Sequence, residues 1–285
     1  MKQFYGLIKK VPILGGVCVL GLGLLSIYFL DLGEDFTITP VLLRVLLSFV
    51  CIAFLFMISG DKVLVASGKN VGKAFKGFIP LILYSVLIGA VVFFSTVFGK
   101  ELADNVPSVL FWGTLEMLGV GFFEELTFRA VLNDAILYQF RDKKGVFVAI
   151  GFISCFLFGV VHVLGADVST PLNMAQAVLK TVTTGVWGFI MLVVFWNTHN
   201  VMVCAIVHAF YDWCSALLNS LAATSTGEVG GYIKEGFLEV GPYSINYGYL
   251  AVVTYILQMI PMIIILLLMI PTIKKIDFKA IRNEW

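Results

Sequence analysis

Charge is what this sequence has least of. Asp, Glu, Lys and Arg make up 13% of its 285 residues, against about 25% in a soluble domain. The 19 basic residues nearly balance the 18 acidic ones, so no basic excess points to nucleic acid, and no nucleic-acid partner is expected. The five cysteines, Cys18, Cys51, Cys155, Cys204 and Cys214, all fall in apolar runs. That argues against a disulfide frame and for reduced core residues. Sustained period-2 alternation is missing, which excludes a membrane β-barrel. Internal repeats and any stretch polar enough for a soluble domain are missing too. Lys2, Lys9 and Lys10 precede the first apolar run. No convincing small-x-small cleavage site follows, so that run reads as a membrane helix and not as a cleaved signal.

What remains is hydrophobic. Apolar residues make up 60% of the chain, and the mean hydropathy is +0.98. A bilayer core of about 30 Å needs roughly 20 such residues per helix. About eight stretches qualify: residues 11–30, 38–58, 78–97, 110–132, 146–164, 175–195, 201–221 and 250–270. The expected fold is an all-α polytopic membrane protein, a single membrane-embedded domain over residues 1–285. Basic residues cluster at Lys2, Lys9 and Lys10, at Lys62, Lys69, Lys73 and Lys76, at Arg141, Lys143 and Lys144, and at Lys274, Lys275, Lys279 and Arg282. With eight spans every cluster falls on one side, which predicts both termini in the cytoplasm. The longest opposite loop, 222–249, is rich in glycine and mildly acidic. It reads as a solvated loop, with a lid over the bundle as the other possibility.

One apolar run carries charges that need a reason. Glu124, Glu125 and Arg129 lie inside the fourth stretch, where each charge near the bilayer centre costs at least about 2.5–3.5 kcal/mol. Glu125 and Arg129 are i, i+4 and can pair on one helix face. Glu124 points about 100° away and has no cation on its own helix. Two of the three histidines, His162 and His208, also lie in apolar stretches, and Asp212 follows His208 at i+4. A lone histidine on such a helix is more often a hydrogen-bonded core residue. Two of them plus an acidic pair on a third helix suggest one shared cavity. The third, His199, falls at a helix end and reads as interfacial. Arg44, Glu116 and Lys180 read as snorkelling or pairing within the bundle, with Glu116 the best placed of them to line a cavity near Glu124. Helices taken as straight put Glu124, His162 and His208 at different depths, so a shifted boundary or a tilt is expected.

The order Glu124-Glu125-x-x-x-Arg129, then Phe158-x-x-x-His162, then His208-x-x-x-Asp212 on successive membrane helices resembles the CPBP or Abi family. That family comprises type II CAAX prenyl endopeptidases and bacterial bacteriocin-processing and immunity relatives. The motifs span residues 119–212 and place a catalytic core in about 110–221. The resemblance implies an intramembrane endopeptidase in which Glu124 activates water, His162 holds that water and His208 stabilises the oxyanion. Glu125 and Asp212 complete the catalytic set, and Arg129 and Phe158 give structural support. A carboxylate held away from water keeps a proton more readily, which suits Glu124 to general-base work. Asp212 stands where eukaryotic CAAX proteases usually have Asn. An ionised Asp cannot donate to an oxyanion, so here it orients His208 or a metal, or is protonated.

Metal dependence stays open, since Glu124, His162 and His208 would form a zinc set with an open fourth position; a metal-free site is the favoured reading, and no cofactor is certain. The resemblance implies a peptide or membrane-protein substrate, a cavity opening to the cytoplasm, and a bacterial plasma membrane location. The absence of Gly-x-Ser-x-Gly and of His-Glu-x-x-His argues against serine and zinc-helix intramembrane proteases. Two readings from other classes compete. One is a proton- or ion-coupled transporter using the same groups as a relay. The other is a non-proteolytic bacteriocin-immunity scaffold.

Overall fold

The computed structural model describes residues 2–29, 37–222, 233–234, 236–240 and 242–284. The helices are α1 (Lys2–Lys10), α2 (Pro12–Phe29), α3 (Ile38–Ile58), α4 (Lys62–Ser67), α5 (Val71–Gly99), α6 (Val106–Glu125), α7 (Leu132–Phe140), α8 (Val146–Val161), α9 (Pro171–Thr198), α10 (Val201–Asp212), α11 (Tyr247–Ile273) and α12 (Phe278–Glu284). Two π-helical segments, Leu126–Val131 and Trp213–Leu217, continue α6 into α7 and extend α10.

The apolar stretches map onto these helices one for one, but not all as full spans. Among the described residues, six helices are long and apolar enough to cross a membrane. The first stretch is α2, which passes that test only together with the preceding α1, the pair being bent by 106° between Gln3–Lys10 and Pro12–Ser26. Proline at the start of α2 explains the break, because its ring excludes the preceding residue from helix. The fifth stretch is α8, only 16 residues long. At 1.5 Å per residue it reaches about 24 Å, short of the bilayer core.

Burial grades the helices from centre to rim. In the apolar window of α9, 61% of residues are buried, against 17% in α11 and 22% in α3 and α5. Ile190 to Phe195 are fully buried on every face, as a helix that is apolar all round and central must be. Leu83, Leu87 and Val91 on α5 and Leu257, Leu267 and Leu268 on α11 stay exposed, as lipid-facing side chains do. The chain is an integral membrane protein of all-α polytopic type.

Side-chain caps fix the helix ends that matter. Thr170 accepts from Asn173 N at 3.1 Å and starts α9. Asn200 Oδ1 accepts from Val203 N at 2.9 Å and starts α10. The Asn200 amide also donates to the carbonyls of Ser67 (2.9 Å) and Lys69 (2.8 Å), tying the α9–α10 turn to the α4–α5 turn. His199 makes that reversal in the left-handed region, φ 52°.

The expectation of plain loop over 222–249 is corrected in part. A two-stranded antiparallel hairpin pairs β1 (Phe237–Val240) with β2 (Tyr243–Asn246). Gly241-Pro242 between two aromatic and β-branched runs was the sequence signal for it. Residues 223–232, where a lid was considered, lie outside the described residues, as does the acidic loop 31–35.

Candidate active site

Glycines set how closely the site-bearing helices approach. A Cβ at Gly121 on α6 would run into the carbonyl oxygen of Ala205 on α10 and lie 3.0 Å from Ala209 N. A Cβ at Gly159 on α8 would run into the Thr181 carbonyl of α9. At Gly188 on α9 it would meet the Phe158 ring at 3.0 Å and Arg129 Nη2 at 3.2 Å. Two interhelical contacts are therefore at backbone distance, as small residues allow in membrane bundles, and at Gly188 the Phe158 and Arg129 side chains fill the space a Cβ would take. Each lies within about a turn of a motif residue.

The first π segment begins after Glu125, inside the first motif, and the second begins after Asp212, where the third motif ends. Such wider turns are frequent at functional sites. Across the first, Arg129 still reaches back to its partner, with Nε 3.2 Å from Glu125 Oε2 and both side chains fully buried. Arg129 Nη2 donates to the Gly188 carbonyl at 3.3 Å, and the guanidinium lies 4.3 Å over the Phe158 ring. The expected Glu125–Arg129 pair is present.

All the motif residues come together. His208 Nδ1 is 2.8 Å from Glu125 Oε1, and its Nε2 is 3.8 Å from Glu124 Oε2 and 3.4 Å from Asp212 Oδ2. His162 Nδ1 is 2.6 Å from the Phe158 carbonyl. A carbonyl can only accept, so Nδ1 carries the hydrogen and Nε2 keeps a lone pair. That Nε2 is 4.0 Å from Glu124 Oε2. Both imidazoles therefore turn their Nε2 atoms to one oxygen of Glu124, an oxygen that is buried and has no hydrogen-bond partner among the described residues. The depth mismatch resolves in α8. Its helix stops at Val161, so His162 caps a short helix instead of lying inside a long one.

Exposure divides the cluster. The side chains of Glu125, Arg129 and His208 are at most 4% exposed. Those of His162, Glu124 and Asp212 retain 16%, 18% and 24%. The inner three form a fixed base and the outer three an accessible rim.

Several neighbours are not in the motifs. Trp187 sets its ring edge-on to His208 at 4.4 Å and parallel to Phe158 at 5.8 Å. Tyr211 packs on Trp187 at 5.4 Å. Glu124 has no cationic partner on its own helix, and Arg44 of α3 packs against that helix. The Arg44 side chain crosses α6 at Gly119, where a Cβ would lie 2.8 Å from its own Cβ. Glu116, which looked best placed to line the cavity, is buried eight residues back, about 12 Å along the axis.

Two imidazoles and a carboxylate suit zinc by donor type. A tetrahedral zinc site, however, has ligand-to-ligand edges of about 3.3 Å, and the Glu124–imidazole edges are 3.8 and 4.0 Å. Among the described residues no group of three or more His, Cys, Asp or Glu side chains could hold a metal ion. The residues as placed do not fit zinc, and no step is derived through a metal.

Fold and cluster together define a polytopic membrane protein with an acid–imidazole centre built inside its helix bundle. Residues 106–214, rather more than a third of the chain, match the family described as type II CAAX prenyl endopeptidase Rce1-like. The match contains α6 to α10 and every motif residue, and it points to a protease. No curated protein and no solved structure matches the chain.

Proposed function

We propose that this protein is an intramembrane endopeptidase that hydrolyses a peptide bond with water activated by glutamate and histidine. Glu124 takes a proton from a water that His162 Nε2 helps hold. The hydroxide forms its bond to the peptide carbonyl carbon as the C–O π bond opens. His208, facing carboxylates at both ring nitrogens, has a hydrogen to donate from Nε2 to the resulting oxyanion. Glu124 then returns the proton to the departing amine as the C–N bond breaks. Glu125 anchors His208 through Nδ1, and Arg129 with Phe158 holds Glu125 in place. Asp212 orients His208 from the other side.

The single observation that carries this reading is the turning of both Nε2 atoms to one oxygen of Glu124, at 3.8 and 4.0 Å. A structural ion-pair network would leave no such shared oxygen without a hydrogen-bond partner among the described residues. The substrate class is a peptide precursor or membrane protein, of CAAX-protease or bacteriocin-processing type. The cavity opens to the cytoplasm of a bacterial plasma membrane, with both termini on that side and the catalytic core in about 110–221 of a single domain. The test is Glu124→Gln in detergent micelles, with internally quenched peptides that carry or lack a farnesylated cysteine. Binding is expected to persist while cleavage slows at least about hundredfold. Undiminished cleavage refutes the mechanism. Retained toxin protection in cells without cleavage favours the immunity scaffold instead.

A further inference from the structure

A second concentration of charge lies outside the acid–imidazole centre. Arg141, Asp142, Lys279, Arg282 and Asn283 line a cavity of about 650 Å³, within the range of about 300–1,000 Å³ usual for small-ligand sites. Three cations and one carboxylate thus face one space. Arg141 and Asp142 come from the turn between α7 and α8, and the other three from α12.

The fold holds α12 in place for this purpose. Asp277 Oδ1 accepts from the amides of Lys279 and Ala280 at 3.0 and 2.9 Å and starts the helix. The Phe278 ring packs 4.6 Å from Phe147 and 5.6 Å from Trp196, and Ile281 is buried. The apolar side of α12 is therefore seated on the bundle. Lys279 and Arg282, three residues apart, share another face. The Arg282 guanidinium lies 5.5 Å over the Phe147 ring, which fixes its plane. Its Nε is buried and has no hydrogen-bond partner among the described residues. A half-buried cation with an unmatched N–H is costly, and three cations around one space repel each other. An anion in the cavity relieves both.

Depth selects the kind of anion. Arg141 directly follows Phe140, the last residue of a helix long and apolar enough to cross a membrane, and Lys279 is six residues past the end of another, Ile273. The cavity is therefore at the level of lipid headgroups, where basic pockets between helices take anionic ones. We infer that this cavity binds the phosphate of an anionic phospholipid headgroup. Lys279 and Arg282 hold the phosphate from α12, and Arg141 holds it from the α7–α8 turn, so bound lipid clamps α12 to the bundle. Asp142 and Asn283 offer hydrogen bonds to headgroup hydroxyls, which suits phosphatidylglycerol. The inference does not depend on the peptidase reading.

The test is native mass spectrometry of the full-length protein in uncharged micelles, titrated with dihexanoyl phosphatidylglycerol or dihexanoyl phosphatidylcholine. The first glycerol-lipid adduct is expected to form at least about tenfold more tightly than the choline-lipid adduct. Lys279→Gln and Arg282→Gln should each weaken it about fivefold. Lys76→Gln, which removes an exposed cation outside the cavity, should leave it within about twofold. Lys279 is exposed, so Lys279→Gln should keep the lipid-free unfolding midpoint and decides the matter if Arg282→Gln does not fold. Equal affinity for the two lipids overturns the inference, as does a loss in Lys279→Gln no larger than in Lys76→Gln. Inorganic phosphate is the competitor in a final arm. Failure to displace the lipid at equal concentration supports the lipid assignment; full displacement overturns it in favour of a free-phosphate site.

Discussion

Gly121 should be the most sensitive position outside the charged motif. A Cβ there lies 3.0 Å from Ala209 N and 3.2 Å from Ala209 Cβ, and closer still to the Ala205 carbonyl oxygen. These are backbone or near-backbone atoms of α10, so no side chain can swing aside. Restoring ordinary contact at the Ala205 oxygen requires α6 and α10 to separate by about 1 Å. Glu125 is one turn beyond Gly121, and His208 lies between Ala205 and Ala209. The separation is therefore passed to the Glu125–His208 bond, now 2.8 Å, which would lengthen to about 3.8 Å and cease to be a hydrogen bond. Misplacement of this size costs about hundredfold in rate, while overpacking costs about 1–3 kcal/mol in stability. Gly121→Ala is thus expected to fold, with a lowered unfolding midpoint, and to cleave the quenched peptide about hundredfold more slowly. Gly21→Ala is the control, since a Cβ at Gly21 meets nothing within 4 Å. A folded Gly121→Ala protein that cleaves within threefold of the parent would refute the claim that helix spacing sets the site geometry.

Three further outcomes follow from the same contacts. Arg129→Met leaves the fully buried Glu125 carboxylate without its guanidinium and should cost about 3–5 kcal/mol; Lys at 129 should restore less than half of this, because an ammonium lacks the fixed fork and the planar face that lies over Phe158. Denaturant unfolding in micelles checks both, and parent-like stability in Arg129→Met contradicts the ion pair. Asn200→Ala removes the α10 cap and two bonds to the α4–α5 turn. It should cost about 2–3 kcal/mol with kcat unchanged within about twofold, because residue 200 is two turns from His208; a large kcat loss with little destabilisation would reverse that assignment. Prolonged dialysis against a zinc chelator is expected to leave the rate unchanged, since the Glu124–imidazole edges exceed those of a zinc site; loss of activity restored by added zinc would show that the site closes around a metal.

The charges announced themselves because lipid makes them expensive. Glu124, Glu125 and Arg129 in an apolar run, with His162 and His208 in two more, suggest one shared interior cavity from the sequence alone. Periodicity also gave the pairs that lie along one helix, Glu125 with Arg129 and His208 with Asp212, because i, i+4 is local geometry. Periodicity could not give partners that come from another helix. Arg44 packs against α6 and Trp187 reaches His208 across an interface, and their sequence neighbourhoods look like any other membrane span. The two π segments were hidden for a related reason. Leu126–Val131 and Trp213–Leu217 have no composition that distinguishes a wide turn from an ordinary one; the packing of α6 and α10 against their neighbours decides it. The end of α8 was obscured because Val163 and Leu164 continue the apolar run past the last helical residue, Val161. Hydropathy reports where a chain is content to be in lipid, and backbone geometry decides where a helix stops. At His162 the two diverge, and the divergence brings an imidazole to the depth of Glu124.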